Sequence, residues 1–270
     1  MYPKLDRRAG GRSPWSSGRG FKFDGRDVLG LLVRMREEAL YGVGIISRIS
    51  KALSEMGIPI LTAKVGFSDG SLDLFLVLDL TGNSVDEKAL AERISGIPYV
   101  YEVIPIPPLK GGIILDDYHF PPTLFGERML MLRFPVLEAM IKGGYETFGR
   151  IYAVWLYHVG FRIGRDTFAS QLLMFNTRSV ELFDLSASFF KHDGFGIMEV
   201  RRVDLEGRKA VVRVYDSFEC SMFKGLGKPM GHFVRGMLAG WASEFFGKEL
   251  SAKETKCLAN GDEYCEFEIG

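Results

Sequence analysis

The chain has 270 residues, with 34 Lys and Arg balancing 34 Asp and Glu and 47% hydrophobic residues, enough for one large or two modest domains of ordinary globular composition. A formal net charge of zero leaves no electrostatic footprint for nucleic acid, so no specific nucleic-acid partner is expected. Three cysteines and a basic, glycine-rich start argue against a disulfide framework and a secretory leader, and the longest apolar run, 151–161, is too short to span a bilayer; a cytoplasmic protein without a membrane partner is expected.

Residues 1–26 carry Lys4, Arg7, Arg8, Arg12, Arg19, Lys22 and Arg26 against Asp6 and Asp24, with Gly, Ser and Pro between them. They have too little apolar surface to order themselves and read as a disordered basic tail. Regular patterning begins at residue 27, with a strand over 28–35. After Gly42-Val43-Gly44, residues Ile45, Ile46, Ile49, Leu53 and Met56 recur near helical spacing until Gly57 ends the run. A strand over 58–67 leads into the turn Ser68-Asp69-Gly70. Leu72, Leu74, Leu76, Leu78 and Leu80 then alternate with Asp73 and Asp79 on the opposite face. A helix over 85–94, with Ser84 as its N-cap, and a strand over 99–106 complete the order βαββαβ, the ferredoxin-like split pair.

That order, with a glycine-containing first turn, resembles the ACT domain, and the resemblance implies a regulatory module over 27–108 that often binds amino acids. Its candidate ligand residues are Gly42 and Gly44, where a helix N-terminus could receive a carboxylate. The Asp-x-Pro-Gly turn common in that family reads Tyr41-Gly42-Val43-Gly44 here, so only the final glycine matches.

Residues 109–123, punctuated by Gly, Asp and Pro, read as a linker to a second domain over 124–270. An apolar strand or lead-in over 126–134 precedes Pro135, well placed to start a helix, which Gly143-Gly144 interrupts and 145–168 continues. Gly160 and Gly164 fall on one helical face, where another helix or a ligand can come close to the backbone. A helix over 179–191 follows, then a hairpin over 194–203 and 209–218 around Glu206-Gly207, and a long helix over 232–246 with Gly236 and Gly240.

The last residues carry the most chemistry. Cys257 and Cys265 flank Asn260-Gly261-Asp262, which is turn chemistry, and Phe267 and Ile269 alternate with Glu266 and Glu268 as in a half-buried strand. A hairpin there brings the two thiols together with Glu254 close by, a donor set that Zn²⁺ accepts. Two half-buried free cysteines beside a hairpin is the alternative that spacing leaves open.

Glu254-x-x-Cys257, seven residues, Cys265-x-Phe267-x-Ile269, together with Gly160-x-x-x-Gly164, Asp216-Ser217-Phe218-Glu219 and Phe233-x-x-Gly236-x-x-x-Gly240, resembles the 4-vinyl reductase domain family, which also forms the sensor module of bacterial regulators of aromatic hydrocarbon use. The resemblance implies an α+β domain with helices packed on an antiparallel sheet, a homodimer and, in zinc-binding members, a third cysteine where this chain has Gly231. His232 or Cys220 could complete a structural zinc site with Glu254, Cys257 and Cys265; loss of the metal is the other possibility. The aromatic-sensing members imply a small apolar or aromatic ligand, with Tyr215, Phe190, Trp155, Phe233 and Trp241 as candidate pocket residues. The function expected is a non-catalytic small-molecule sensor that signals to a downstream protein partner. An accessory role in tetrapyrrole vinyl reduction and a dimeric scaffold akin to vesicle-tethering proteins are the competing readings.

Overall fold

Residues 19–68 and 70–270 are described by the computed structural model of the chain, which divides into two units between Leu130 and Met131. The basic tail as far as residue 18, and Asp69 of the 68–70 turn, lie outside the described residues.

The first unit begins with a short strand, β1 (Gly20–Lys22), and continues β2 (Val28–Arg36), α1 (Ile45–Glu55), β3 (Ile60–Ser68), β4 (Ser71–Asp79), α2 (Glu87–Ser95) and β5 (Val100–Ile106). The long strands form one antiparallel sheet in the order β3-β4-β2-β5, the arrangement expected of the split βαβ pair. Ile45, Ile49 and Leu53 of α1 and Leu90 and Ile94 of α2 pack on Leu29, Leu31, Val33, Leu74, Leu76 and Leu78. The cap of α2 is Asp86, whose side chain accepts the Lys88 N–H at 3.0 Å, rather than Ser84. A cap oxygen must reach the second or third amide of the helix, and Ser84 stands too far upstream for that.

The opposite sheet face departs from the sequence reading. Every residue of β4 is buried, Asp73 and Asp79 included. A strand at Ile113–Leu115, β6, pairs antiparallel with β1 across this face, and Phe21, Phe23 and Ile114 cover Val28, Leu32, Phe75 and Val77. Residues assigned to tail and linker are thus structured, because β2 and β4 are apolar on both sides and the second side needs a cover. A two-residue hairpin, β7 (Thr123–Leu124) and β8 (Glu127–Arg128), replaces the longer strand expected over 126–134.

The second unit opens with α3 (Phe134–Glu138), a single π turn (Ala139–Gly143) and α4 (Gly144–Phe148). The helical path runs through Gly143-Gly144 and breaks instead at Gly149, whose φ of 59° and ψ of −134° suit only glycine. Then come α5 (Arg150–Phe175), α6 (Glu181–His192), β9 (Ile197–Asp204), β10 (Lys209–Tyr215), the one-turn α7 (Phe218–Ser221), α8 (His232–Phe246), β11 (Ala252–Lys256) and β12 (Cys265–Ile269). The sheet order is β11-β12-β10-β9, antiparallel throughout. Val212, Val214, Phe267 and Ile269 point from it into a core shared with α6 and α8.

Two glycine pairs set the distance between α5 and α8. A Cβ on Gly160 would lie 2.2 Å from the Phe233 carbonyl oxygen, and one on Gly164 2.0 Å from that of Met237. In return, Cβ atoms on Gly236 and Gly240 would lie 2.1 and 2.0 Å from the carbonyl oxygens of Tyr157 and Phe161. Each helix therefore accepts the other's backbone where only hydrogen fits. Among the described residues no helix is long and apolar enough to cross a membrane.

Candidate functional site

A buried polar cluster and an apolar cavity both border α8. The cluster starts from α7, whose N-cap Ser217 accepts the Cys220 N–H at 3.5 Å. That single turn places two fully buried side chains, Glu219 and Cys220. Glu219 accepts the Phe233 N–H at 2.8 Å and the Val234 N–H at 2.9 Å, so its carboxylate caps the first turn of α8 where amide donors lack helical partners. Burial pushes this carboxyl up to about 8, against the pull of the two amides.

The other half of the cluster comes from the last hairpin. Cys257 N–H donates to Asp262 Oδ2 at 2.8 Å and Asp262 N–H returns to the Cys257 carbonyl at 3.2 Å, while Gly261 supplies the left-handed turn at φ 97°. This clamp folds Cys257 back towards Cys265, whose Sγ accepts the Leu258 N–H at 3.5 Å. Glu254 reaches in from β11: its Oε2 accepts the Gly231 N–H at 3.0 Å, and its Oε1 lies 3.7 Å from Cys220 Sγ.

The ligand atoms of Cys220, Glu254, Cys257 and Cys265 all lie within 4.8 Å of one another, a group that could hold a metal ion. Thiols of Cys220 and Cys265 donate to Cys257, which is drawn down to about 2, whereas these same hydrogen bonds, followed by burial, push Cys220 up. Burial, then the adjacent Cys257, raises Glu254 to about 8. His232 stands outside the group. It opens α8 with its ring stacked on Tyr145, centroids 6.3 Å apart, and burial followed by Arg235 lowers it to about 4. Of the five residues considered as ligands, the fold gathers four, and the sulfur of Cys220 takes the place open to His232.

The cavity, about 230 Å³, lies among α5, α6, α8 and the sheet. Phe183, Phe190, Met198, Val212, Met237 and Trp241 supply apolar walls, and Thr167, Gln171, Ser186 and Asp193 its polar side chains. Phe190 and Trp241 are thus where the sequence reading put them. Three other candidates are not. Tyr215 lies on the far face of β10, since Ala210, Val212 and Val214 take the inward positions, and its hydroxyl donates to Glu199 Oε2 at 3.1 Å. Trp155 is 53% exposed on α5 and stacks on Tyr152, and Phe233 packs against Phe195 and Phe218. In the first unit Gly42 and Gly44 flank the start of α1 at an open turn, where the neighbouring Tyr41 and Val43 are 85% and 93% exposed.

Sequence reasoning missed Glu219 and Gln171 as site residues. Gln171 carries a signal that spacing could have exposed, one polar letter continuing the stripe Gly164, Phe168 that faces α8. Glu219 was seen only as part of a motif, because its partners are backbone amides that no side-chain pattern marks.

Residues 210–270 match the family model of the 4-vinyl reductase domain. Two uncharacterized proteins of Methanocaldococcus jannaschii resemble the chain: MJ0150, 31% identical over 42% of this chain and 61% of its own length, and MJ1642, 32% identical over 31% of this chain and 49% of its own. The chain therefore spans about half to three fifths of these relatives. Among solved structures, the phenol-responsive sensory domain of the transcription activator PoxR with phenol has a TM-score of 0.49 at 18% identity, over 54% of this chain and 78% of that domain.

Proposed function

We propose that the chain is a non-catalytic small-molecule sensor whose second unit encloses an apolar or aromatic ligand and whose last hairpin is held by a structural zinc ion. The observation that carries the sensor reading is the apolar cavity beneath α8. Val212, Met237, Leu238, Trp241, Ala242 and Ile269, all within the residues matching the 4-vinyl reductase domain, contribute to its wall. A concave apolar site with few polar groups is the form small-molecule sites take.

The zinc reading rests on the donor set. Bonds of about 2.3 Å place two sulfurs on one tetrahedral zinc ion no more than about 4.6 Å apart, and the four donor atoms lie within 4.8 Å of one another with no ion present. Cys220, Glu254, Cys257 and Cys265 would hold the ion. Four protein ligands leave no open coordination position, so zinc would supply cohesion, tying β11 and β12 to α7 and the start of α8.

The ferredoxin-like unit is the regulatory partner in this proposal, with output to a second protein and a homodimer as the working assembly. Ligand binding would shift an equilibrium between states only by its differential affinity for them. Native mass spectrometry of the full chain, prepared without chelator, reports metal, retained small molecule and dimer mass together. One zinc per chain and a mass shift on adding a single-ring aromatic compound are expected. Less than a tenth of an equivalent of zinc would remove the metal clasp, and no shift with any apolar or aromatic compound would remove the sensor.

A further inference from the structure

Within the cavity read above as the ligand site, one buried amide has donors to spare. Gln171 is 3% exposed, and its Oε1 accepts two hydrogen bonds, from Trp241 Nε1 at 2.9 Å and from Ser186 Oγ at 2.5 Å. An indole N–H can only donate, so the atom facing Trp241 must be the oxygen and the amide cannot be turned over. Ser186 then spends its proton on the same oxygen, and both Oε1 lone pairs are occupied.

The consequence falls on Nε2. It makes no hydrogen bond with any described residue, yet no buried side-chain nitrogen or oxygen among those residues is left without a partner. The amide nitrogen must therefore touch open space, and the space that Gln171 borders is the cavity. Two oriented N–H groups thus stand over an apolar chamber. Leaving such donors against a purely hydrocarbon ligand forfeits their hydration with no return.

The geometry points to a ligand that answers those donors: a neutral, mostly apolar molecule bearing one hydrogen-bond-accepting oxygen, such as an aryl ketone, aldehyde or ester, its oxygen on Gln171 Nε2 and its hydrocarbon part against Phe183, Phe190 and Met237. A carboxylate fits less well, since no Lys, Arg or His lines the cavity and Asp193 does. This assignment rests on the cavity being the ligand site, and it adds the polarity of what enters.

Acetophenone and α-methylstyrene test it, because they share a shape and differ in C=O against C=CH₂. Calorimetric titration of the full chain with each is expected to show about tenfold tighter binding of acetophenone, the ratio one neutral hydrogen bond provides, with benzoate weaker than both. In Gln171→Met, checked for folding by circular dichroism, the two affinities should converge to within about twofold. Equal affinities in the wild-type chain, or a preference that survives in Gln171→Met, would overturn the donor assignment while leaving the cavity as a ligand site. Binding of neither compound would overturn the cavity reading and this inference together. Should Gln171→Met not fold, the wild-type pair alone decides.

Discussion

The Gly231 N–H donates to Glu254 Oε2 at 3.0 Å, and a Cβ on Gly231 would stand only 2.9 Å from Glu254 Oε1. The carboxylate thus fills the volume that a side chain at position 231 would take, and the third sulfur comes from Cys220 on α7. Gly231→Ala is expected to push Glu254 aside and weaken zinc binding more than tenfold, with the circular dichroism of the chain kept. Competition against a chromophoric chelator measures it; unchanged affinity would take Glu254 out of the ligand set.

Zinc binding should also weaken as pH falls. Glu254 is raised to about 8 in the metal-free cluster, and a ligand must give up its proton to bind. Below about pH 8 the proton competes, so this group alone costs about tenfold in affinity per pH unit. Chelator competition at about pH 8.5 and 6.5 checks the slope, and a flat profile would mean that Glu254 stays protonated or unbound.

The crossing of α5 and α8 predicts which glycines tolerate a methyl group. At Gly164 and Gly236 the added Cβ would meet a backbone carbonyl oxygen at 2.0 and 2.1 Å, which no rotamer change relieves. Each change to Ala is expected to destabilise by about 3 kcal/mol or more. Gly143 is helical, with nothing within 4 Å of a Cβ, so Gly143→Ala should be neutral or stabilising by up to about 1 kcal/mol. Urea denaturation of the three variants separates these outcomes.

His232 adds an acid sensitivity of its own. Its folded pKa is lowered to about 4, by burial and then by Arg235, and the helix N-terminus on which it sits also disfavours a cation. A depressed base contributes stability that is complete above about pH 6.5 and is lost as pH falls towards 4. Urea midpoints at about pH 7 and pH 5 should drop further for the wild type than for His232→Phe. Equal drops would show that the imidazole charges freely in the folded chain.

Tyr215 and Trp241 should differ sharply in ligand binding. Tyr215 is on the outer face of β10, so Tyr215→Phe should leave acetophenone affinity unchanged and cost about 1 kcal/mol of stability through the lost bond to Glu199. Trp241→Phe removes both a cavity wall and the indole donor that orients Gln171, and should weaken the same ligand several-fold. Calorimetry on both variants tests the face assignment.

Alternating leucines in β4, the amphipathic run of α1 and the turn residues around Gly261 are local signals, because strand and helix periods and positive-φ positions are written residue by residue. They sufficed for the ferredoxin-like order, for the terminal hairpin and for the idea that Cys257, Cys265 and Glu254 converge. Gly160, Gly164, Gly236 and Gly240 likewise announced a close approach, although not that they face one another.

What the linear text could not decide were questions of facing. Whether His232 or Cys220 joins the cluster depends on which way the first residue of α8 and the last turn of α7 point, and Tyr215 left the cavity because one strand register sends alternate residues to opposite sides. Phe21 and Ile114 looked like tail and linker until a sheet apolar on both faces required a cover. Sequence by itself determined the periods, the turns and the chemistry present in this protein. Only the tertiary structure decided which groups meet, because packing joins residues far apart in the chain through distances that no local pattern contains.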